Sequence, residues 1–201
     1  RRQDRLAELA SQYPNRVTPA ALDVCDFTAL RTACSQFAKN GLISGSVHAA
    51  GINRFLPLKV FDWGEAEQIL KTSVNAGIEL IRVVTHRALS TVSSAHVQVA
   101  SAMALVGQIG FAPYCAAKSA LLGAVRCLAL ELAPRKSRIN VVSPGWLTTE
   151  MTKDLVSYYP GGLDAVRAAH PLGLGETHDV TQAILFLLSD AARWITGANL
   201  V

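Results

Sequence analysis

Cysteine, aromatic residues and charge are all scarce in this chain of 201 residues. The four cysteines, Cys25, Cys34, Cys115 and Cys127, form no CxxC pair and no metal-ligand spacing. That argues against a zinc ribbon or a dithiol redox motif and leaves no metal site in view. They read as buried thiols in a reducing compartment. No apolar run reaches the roughly 18–20 residues that a helix needs to cross a bilayer, and no secretory leader opens the chain. The expectation is a cytoplasmic protein. Charged residues are 17% of the total and sum to +4; apart from Arg1, Arg2 and Arg5 they are scattered. Scattered charge is a poor footprint for nucleic acid and suits small anionic ligands better. A glycine-rich turn between a first strand and a first helix, which holds a pyrophosphate at the helix N-terminus, is also missing.

What the chain does have is apolar material: half of its residues are hydrophobic, enough for a substantial core in one domain spanning residues 1–201. The periodicity predicts a helix over Asp4–Tyr13, a strand over Val17–Val24 and a helix capped by Thr28 that ends at Asn40-Gly41. A strand over Ile43–Ala49 is followed by a long helix over Gly64–Leu89, and another strand by Val97–Ala100. Pro113 fits the first turn of a helix that runs to Leu132. A strand over Arg138–Val142 stops at Ser143-Pro-Gly145, and a last helix covers Val180–Leu188. Short apolar strands alternating with helices predict an α/β fold with a doubly wound parallel sheet.

Chemistry concentrates in Tyr114-Cys-Ala-Ala-Lys118, with Ser101 thirteen residues before the tyrosine and Asn75 further back. A tyrosine and a lysine four apart share one helix face. An ammonium there favours the phenolate and is expected to lower the tyrosine from its usual value of about 10. Such a tyrosine can move a proton at a carbonyl or an alcohol near neutral pH. Ser101 ends an apolar strand, and open α/β sheets bind ligands beyond the carboxyl ends of their strands. A hydroxyl at that point can donate to a carbonyl oxygen.

Asn75, Ser101, Tyr114 and Lys118, in this order and followed by Ser143-Pro-Gly145, resemble the short-chain dehydrogenase/reductase family. The resemblance covers essentially the whole chain. It lacks the family's opening strand with its TGxxxGIG-like turn and the tail after Ile195-Thr-Gly197, so the chain reads as incomplete at both ends. It implies a Rossmann-like domain in which Ser101 orients the substrate, Tyr114 is the acid or base, Lys118 holds the nicotinamide ribose, and Asn75 anchors a relay water. It assigns Asp23 and Val24 to the adenine, and Ala49, Ala50 and Gly51 to the adenine ribose. Ala49 stands where the family has asparagine, and His48 beside it reads as packing. Pro144, Gly145, Leu147 and Thr149 would hold the carboxamide end. Arg1 and Arg2 stand where basic residues grip a ribose 2′-phosphate, which favours NADP(H) over the also possible NAD(H). Met151–Gly175 corresponds to the substrate loop, in which Tyr158, Tyr159 and His170 are pocket candidates.

Leu105-Val-Gly-Gln-Ile-Gly110 and Asp190…Ile195-Thr-Gly197 point to the 3-oxoacyl-thioester reductase branch. The expected activity is hydride transfer between NADP(H) and a carbonyl or secondary alcohol. An NAD-linked alcohol, sugar or steroid dehydrogenase is the alternative, and a non-catalytic fragment or scaffold is the reading from another class. The family assembles as dimers or tetramers through its two long helices, which implies a homo-oligomer; Ala120–Val125 suits either that contact or the core. Nucleic-acid and membrane partners are not expected.

Overall fold

Residues alternate along the strands between two faces, and each set feeds its own core. The computed structural model describes residues 3–153 and 155–201, so Arg1 and Arg2 lie outside the described residues. The elements run α1 (Gln3–Gln12), α2 (Phe27–Phe37), β1 (Ile43–His48), α3 (Trp63–Leu70), α4 (Ala76–Val84), β2 (Ser90–Val99), α5 (Ala112–Leu132), β3 (Arg138–Val142), α6 (Glu150–Lys153), α7 (Gly162–Ala168), α8 (Thr177–Leu188) and β4 (Asn199–Leu200). The four strands form one parallel sheet in the order β1-β2-β3-β4. Parallel neighbours need a crossover, and the helices supply it. Ile139 and Val141 pack with Leu121, Val125, Ala129 and Leu132 of α5 and Ile81 of α4. Val97 and Val142 pack on the opposite face with Leu187 of α8 and Ala192. This is the doubly wound α/β architecture expected.

Several local expectations are corrected. Val17–Val24 is irregular rather than a strand. Pro19 withholds a ladder donor, and among the described residues β1 is paired only on its β2 side, so the segment has no ladder to join. Asp26, not Thr28, caps α2: its carboxylate accepts from the Thr28 and Ala29 amides at 3.1 and 3.0 Å. The helix expected over Gly64–Leu89 is α3 and α4 joined by a π turn over Lys71–Asn75, and it stops at Val84. Strand β2 begins seven residues earlier than the apolar run suggested. Its first half bulges, with Ser93 at φ +67°, before regular pairing with β1 resumes at Ala95. Glu176 and Asp179 close a capping box at the start of α8, three residues before the expected helix. Leu121 and Val125, left open between core and interface, belong to the core.

Two polar side chains, half-buried Arg138 and buried His96, tie the sheet together. Arg138 donates to the Leu187 and Ser189 carbonyls at 2.8 and 3.0 Å, satisfying the end of α8. His96 is completely buried on β2, between Ser46 Oγ at 2.9 Å and Ser94 Oγ at 3.0 Å. Burial pushes its pKa down to about 4, with nearby Arg138 adding to the effect. The folded protein therefore keeps His96 neutral, while the unfolded chain takes up the proton below about pH 6.5. Stability is intact above that value and falls as the pH drops from 6.5 towards 4, by up to about 3 kcal/mol from this residue. Buried His48, also shifted down, adds to the slope with the same sign. Urea titrations at pH 7 and pH 5 should show His96→Gln losing less stability between the two than the parent protein. An equal loss would remove His96 from the acid response.

Candidate active site

Tyr114 and Lys118 lie one turn apart in the first half of α5, 9% and 4% exposed. Pro113 suits the opening turn of that helix, where an amide hydrogen has no partner to lose. The Lys118 Nζ donates to the carbonyl of Val99, the last residue of β2, at 2.8 Å and lies 5.6 Å from the centre of the Tyr114 ring. Ser101 stands just beyond the end of β2. Its Oγ accepts from the Met103 amide at 3.2 Å, and its hydroxyl lies on the Tyr114 side of the site, near enough to favour the phenolate. The Ala102 amide donates to the Pro144 carbonyl at 2.8 Å, which fixes the loops after β2 and β3 against each other.

The electrostatics differ from the expectation that Lys118 lowers Tyr114. Burial raises the Tyr114 pKa, and the nearby Ser101 hydroxyl, which favours the phenolate, only partly opposes it. Burial also brings Lys118 down to about 8. Both shifts have one cause: a dry site disfavours any charged form, and the ammonium is directed at the Val99 carbonyl rather than the phenol oxygen. Tyr114 thus holds its proton at neutral pH.

Asn75 is not brought to this cluster. It is exposed at the end of the π turn and lines neither cavity of the site. Ser73, two residues earlier, points the other way, because residues two apart on a helix do not share a face. Ser73 is fully buried and its Oγ has no hydrogen-bond partner among the described residues. A Cβ placed on Gly51 would lie 3.8 Å from that oxygen and 3.4 Å from Lys118 Nζ, so both groups border the same glycine. The sequence signal was the polar pair Ser73 and Asn75, and only the phase of the π turn distinguishes them. Buried His48 bonds the Ser73 carbonyl through Nε2 at 3.1 Å, in keeping with a packing role.

Two cavities meet at Ser101, Tyr114, Pro144 and Gly145. The smaller, about 380 Å³, is lined by Ala49, Gly51, Lys118, Leu147 and Thr149. Thr177, Val180, Thr181 and Ile184 of α8 complete it; no motif pointed to them, and they arrive through the packing of α8 on the sheet. Ala50 is half-buried between two lining residues but does not line the cavity itself. Asp23 and Val24 also line neither cavity; the Asp23 carboxylate accepts from the Cys25 amide at 2.9 Å in a local turn. The larger cavity, about 820 Å³, is walled by Met103, Val106, Ile109, Trp146, Leu155 and Tyr159, with His170 beside them. Of the loop candidates, Tyr159 and His170 reach it, whereas Tyr158 stacks on Phe55 with ring centres 4.3 Å apart.

Comparison with known proteins agrees with this layout. A family model described as enoyl-(acyl carrier protein) reductase matches residues 1–201. The 3-oxoacyl-[acyl-carrier-protein] reductase FabG of Thermotoga maritima is 29% identical over 199 residues, covering 96% of this chain and 78% of that protein. The enzyme of the same name from Haemophilus influenzae is 31% identical over 184 residues, covering 89% and 74%. Among solved structures, ElxO with NADP bound superposes with a TM-score of 0.88 at 26% identity, over 99% of this chain and 82% of that one.

The site depends on a close approach of α4 to the sheet at Gly77. A Cβ there would meet Gln98 Oε1 at 2.7 Å and His48 Cδ2 at 2.9 Å, both on buried side chains. Gly77→Ala should therefore destabilise the fold by about 1–3 kcal/mol, the usual range for overpacking. Gly107→Ala, which meets nothing within 4 Å, should leave the melting temperature unchanged. Thermal melts of the two variants check the contrast.

Proposed function

This chain belongs to the short-chain dehydrogenase/reductase family, and on that premise we propose that it reduces 3-oxoacyl thioesters with NADPH through Ser101, Tyr114 and Lys118. It is an NAD(P)-dependent oxidoreductase acting on carbonyl and alcohol groups. The observation that carries the proposal is a buried, proton-bearing tyrosine that lines both cavities together with Ser101, one turn of helix from Lys118. The smaller cavity suits a dinucleotide: its threonine hydroxyls and the Lys118 ammonium can bond ribose and phosphate oxygens, and Gly51 leaves that ammonium uncovered. NADP(H) is preferred on the strength of the relatives, because Arg1 and Arg2 lie outside the described residues. When bound, the cofactor supplies a hydride from its nicotinamide C4.

The protein's own residues handle the oxygen. Ser101 donates its hydroxyl hydrogen to the substrate carbonyl and fixes its direction. Tyr114 gives up its phenolic proton to that oxygen as negative charge gathers there. The resulting phenolate is stabilised by the Ser101 hydroxyl and the Lys118 charge. Lys118 needs only one of its hydrogens for Val99 and can offer the others to the ribose hydroxyls. Ser73, bordering the same glycine, takes the place in the proton path that the resemblance gave to Asn75.

Among the described residues, those lining the larger cavity include no Asp, Glu, Lys or Arg. An uncharged acyl portion suits such a lining, since a charge buried there would have no partner. A charged carrier stays outside. We also propose that the enzyme is cytoplasmic and a homo-oligomer, a reading that the family resemblance supports. No helix among the described residues is long and apolar enough to cross a membrane. Exposed Leu70, Ile78 and Leu130 on α3, α4 and α5 supply apolar surface for self-association.

Oxidation of NADPH with a 3-oxoacyl thioester should fall by about 10²–10⁴-fold in Tyr114→Phe, the usual contribution of a positioned proton donor. Undiminished turnover in that variant would refute the proposal. The rate should decline above about pH 8 as Lys118 loses its proton, and Lys118→Arg should move that limb to higher pH. Ser73→Ala should slow turnover more than Asn75→Ala, and the reverse order would restore Asn75 to the site.

A further inference from the structure

The substrate loop is joined to the rest of the site by one side chain whose two ring nitrogens are both committed. His170 follows α7, and its Nε2 is 3.0 Å from the Trp146 amide nitrogen. A backbone amide can only donate, so Nε2 accepts and the ring proton resides on Nδ1. That Nδ1–H then donates to the Val166 carbonyl at 2.7 Å, one of the carbonyls left open at the C-terminal end of α7. A single neutral tautomer makes both bonds. The ring also lies against Gly145, where a Cβ would come within 3.0 Å of Nε2 and 3.2 Å of Cδ2.

The carbonyl of the same residue is held as well. The Trp146 carbonyl accepts from the Gly175 amide at 3.1 Å, and the Thr148 amide donates to the Gly175 carbonyl at 2.9 Å. Residue 146 is thus gripped twice by the returning end of the loop, at its amide by His170 and at its carbonyl by Gly175. The Trp146 ring in turn meets Tyr159 edge-on, with centres 4.7 Å apart, and the Tyr159 hydroxyl lies 3.6 Å from Met103 Sδ. Trp146, Tyr159 and Met103 all line the larger cavity.

We infer that His170 is a positioning residue: by pinning the substrate loop to the Trp146 amide it sets the aromatic wall against which the substrate packs. The inference rests on the reductase reading for the identity of the substrate, but the pinning itself is measurable without turnover. Asparagine at 170 can place a donor near the Nδ1 position, which keeps the Val166 bond and loses Trp146. Glutamine can place an acceptor near the Nε2 position and keeps Trp146.

The experiment compares the intact protein with H170N and H170Q in two assays. Hydrogen–deuterium exchange at the Trp146 amide should accelerate about tenfold in H170N, equivalent to about 1.4 kcal/mol and within the range for one hydrogen bond. H170Q should exchange like the parent. Steady-state kinetics with NADPH and a 3-oxoacyl thioester should show the ketone KM rising about tenfold in H170N with kcat and NADPH affinity little changed, and H170Q restoring it. Equal exchange in all three proteins overturns the inference. So does a loss shared by H170N and H170Q, which would mark a general structural role. If the parent protein turns over no ketone, the reductase reading fails, and the exchange data still decide whether His170 pins the loop.

Discussion

The bond from Lys118 Nζ to the Val99 carbonyl is the constraint on which the site depends. An ammonium this buried is tolerated only when something accepts its hydrogens, and the open end of β2 supplies that acceptor. The bond fixes the roll of α5 on the sheet and so holds Tyr114 over the residue that follows the strand. Ser101 is that residue's near neighbour, and its turn is fixed by the Met103 amide. The active groups therefore come from a strand end and a helix start, both anchored in the core that Leu121, Val125 and Ile139 build.

Burial has a chemical consequence as well as a structural one. The same dry surroundings raise Tyr114 and bring Lys118 down to about 8, so the pair rests as a neutral phenol beside a weakly held ammonium. A phenol that keeps its proton is the form needed to deliver one to a carbonyl oxygen. His96 and His48, neutral in the folded interior, show the same rule acting where no chemistry is at stake.

The two cavities divide the labour. Threonine hydroxyls and an ammonium are among the lining of the one, while apolar walls with no Asp, Glu, Lys or Arg among the described residues line the other, and Ser101 and Tyr114 are among the residues the two share. Part of the apolar wall is supplied by the loop that carries α6 and α7. Its shape comes from side-chain contacts, with Trp146 on Tyr159 and His170 on the Trp146 amide.

The parallel α/β plan was legible because period-two and helical apolar patterns are local properties of the chain. The spacing of Tyr114 and Lys118 was legible for the same reason: four residues on a helix make one turn wherever the helix lies. What could not be read were quantities that depend on neighbours distant in sequence. Val17–Val24 carries strand-forming residues, yet a strand exists only if another edge accepts it. Ser73 and Asn75 are equally polar, and the π turn, a property of packing between α3 and α4, decided which of them is buried. The sign of the Tyr114 shift was set by the depth of burial, which no spacing reveals. By itself the sequence determined the alternation of helices with β1, β2 and β3 and the one-turn spacing of Tyr114 and Lys118, because those follow from the chain's own periodicity. Only the tertiary structure decided their surroundings, because dielectric, hydrogen-bond partners and the α8 residues that close the cofactor cavity all come from segments brought together by folding.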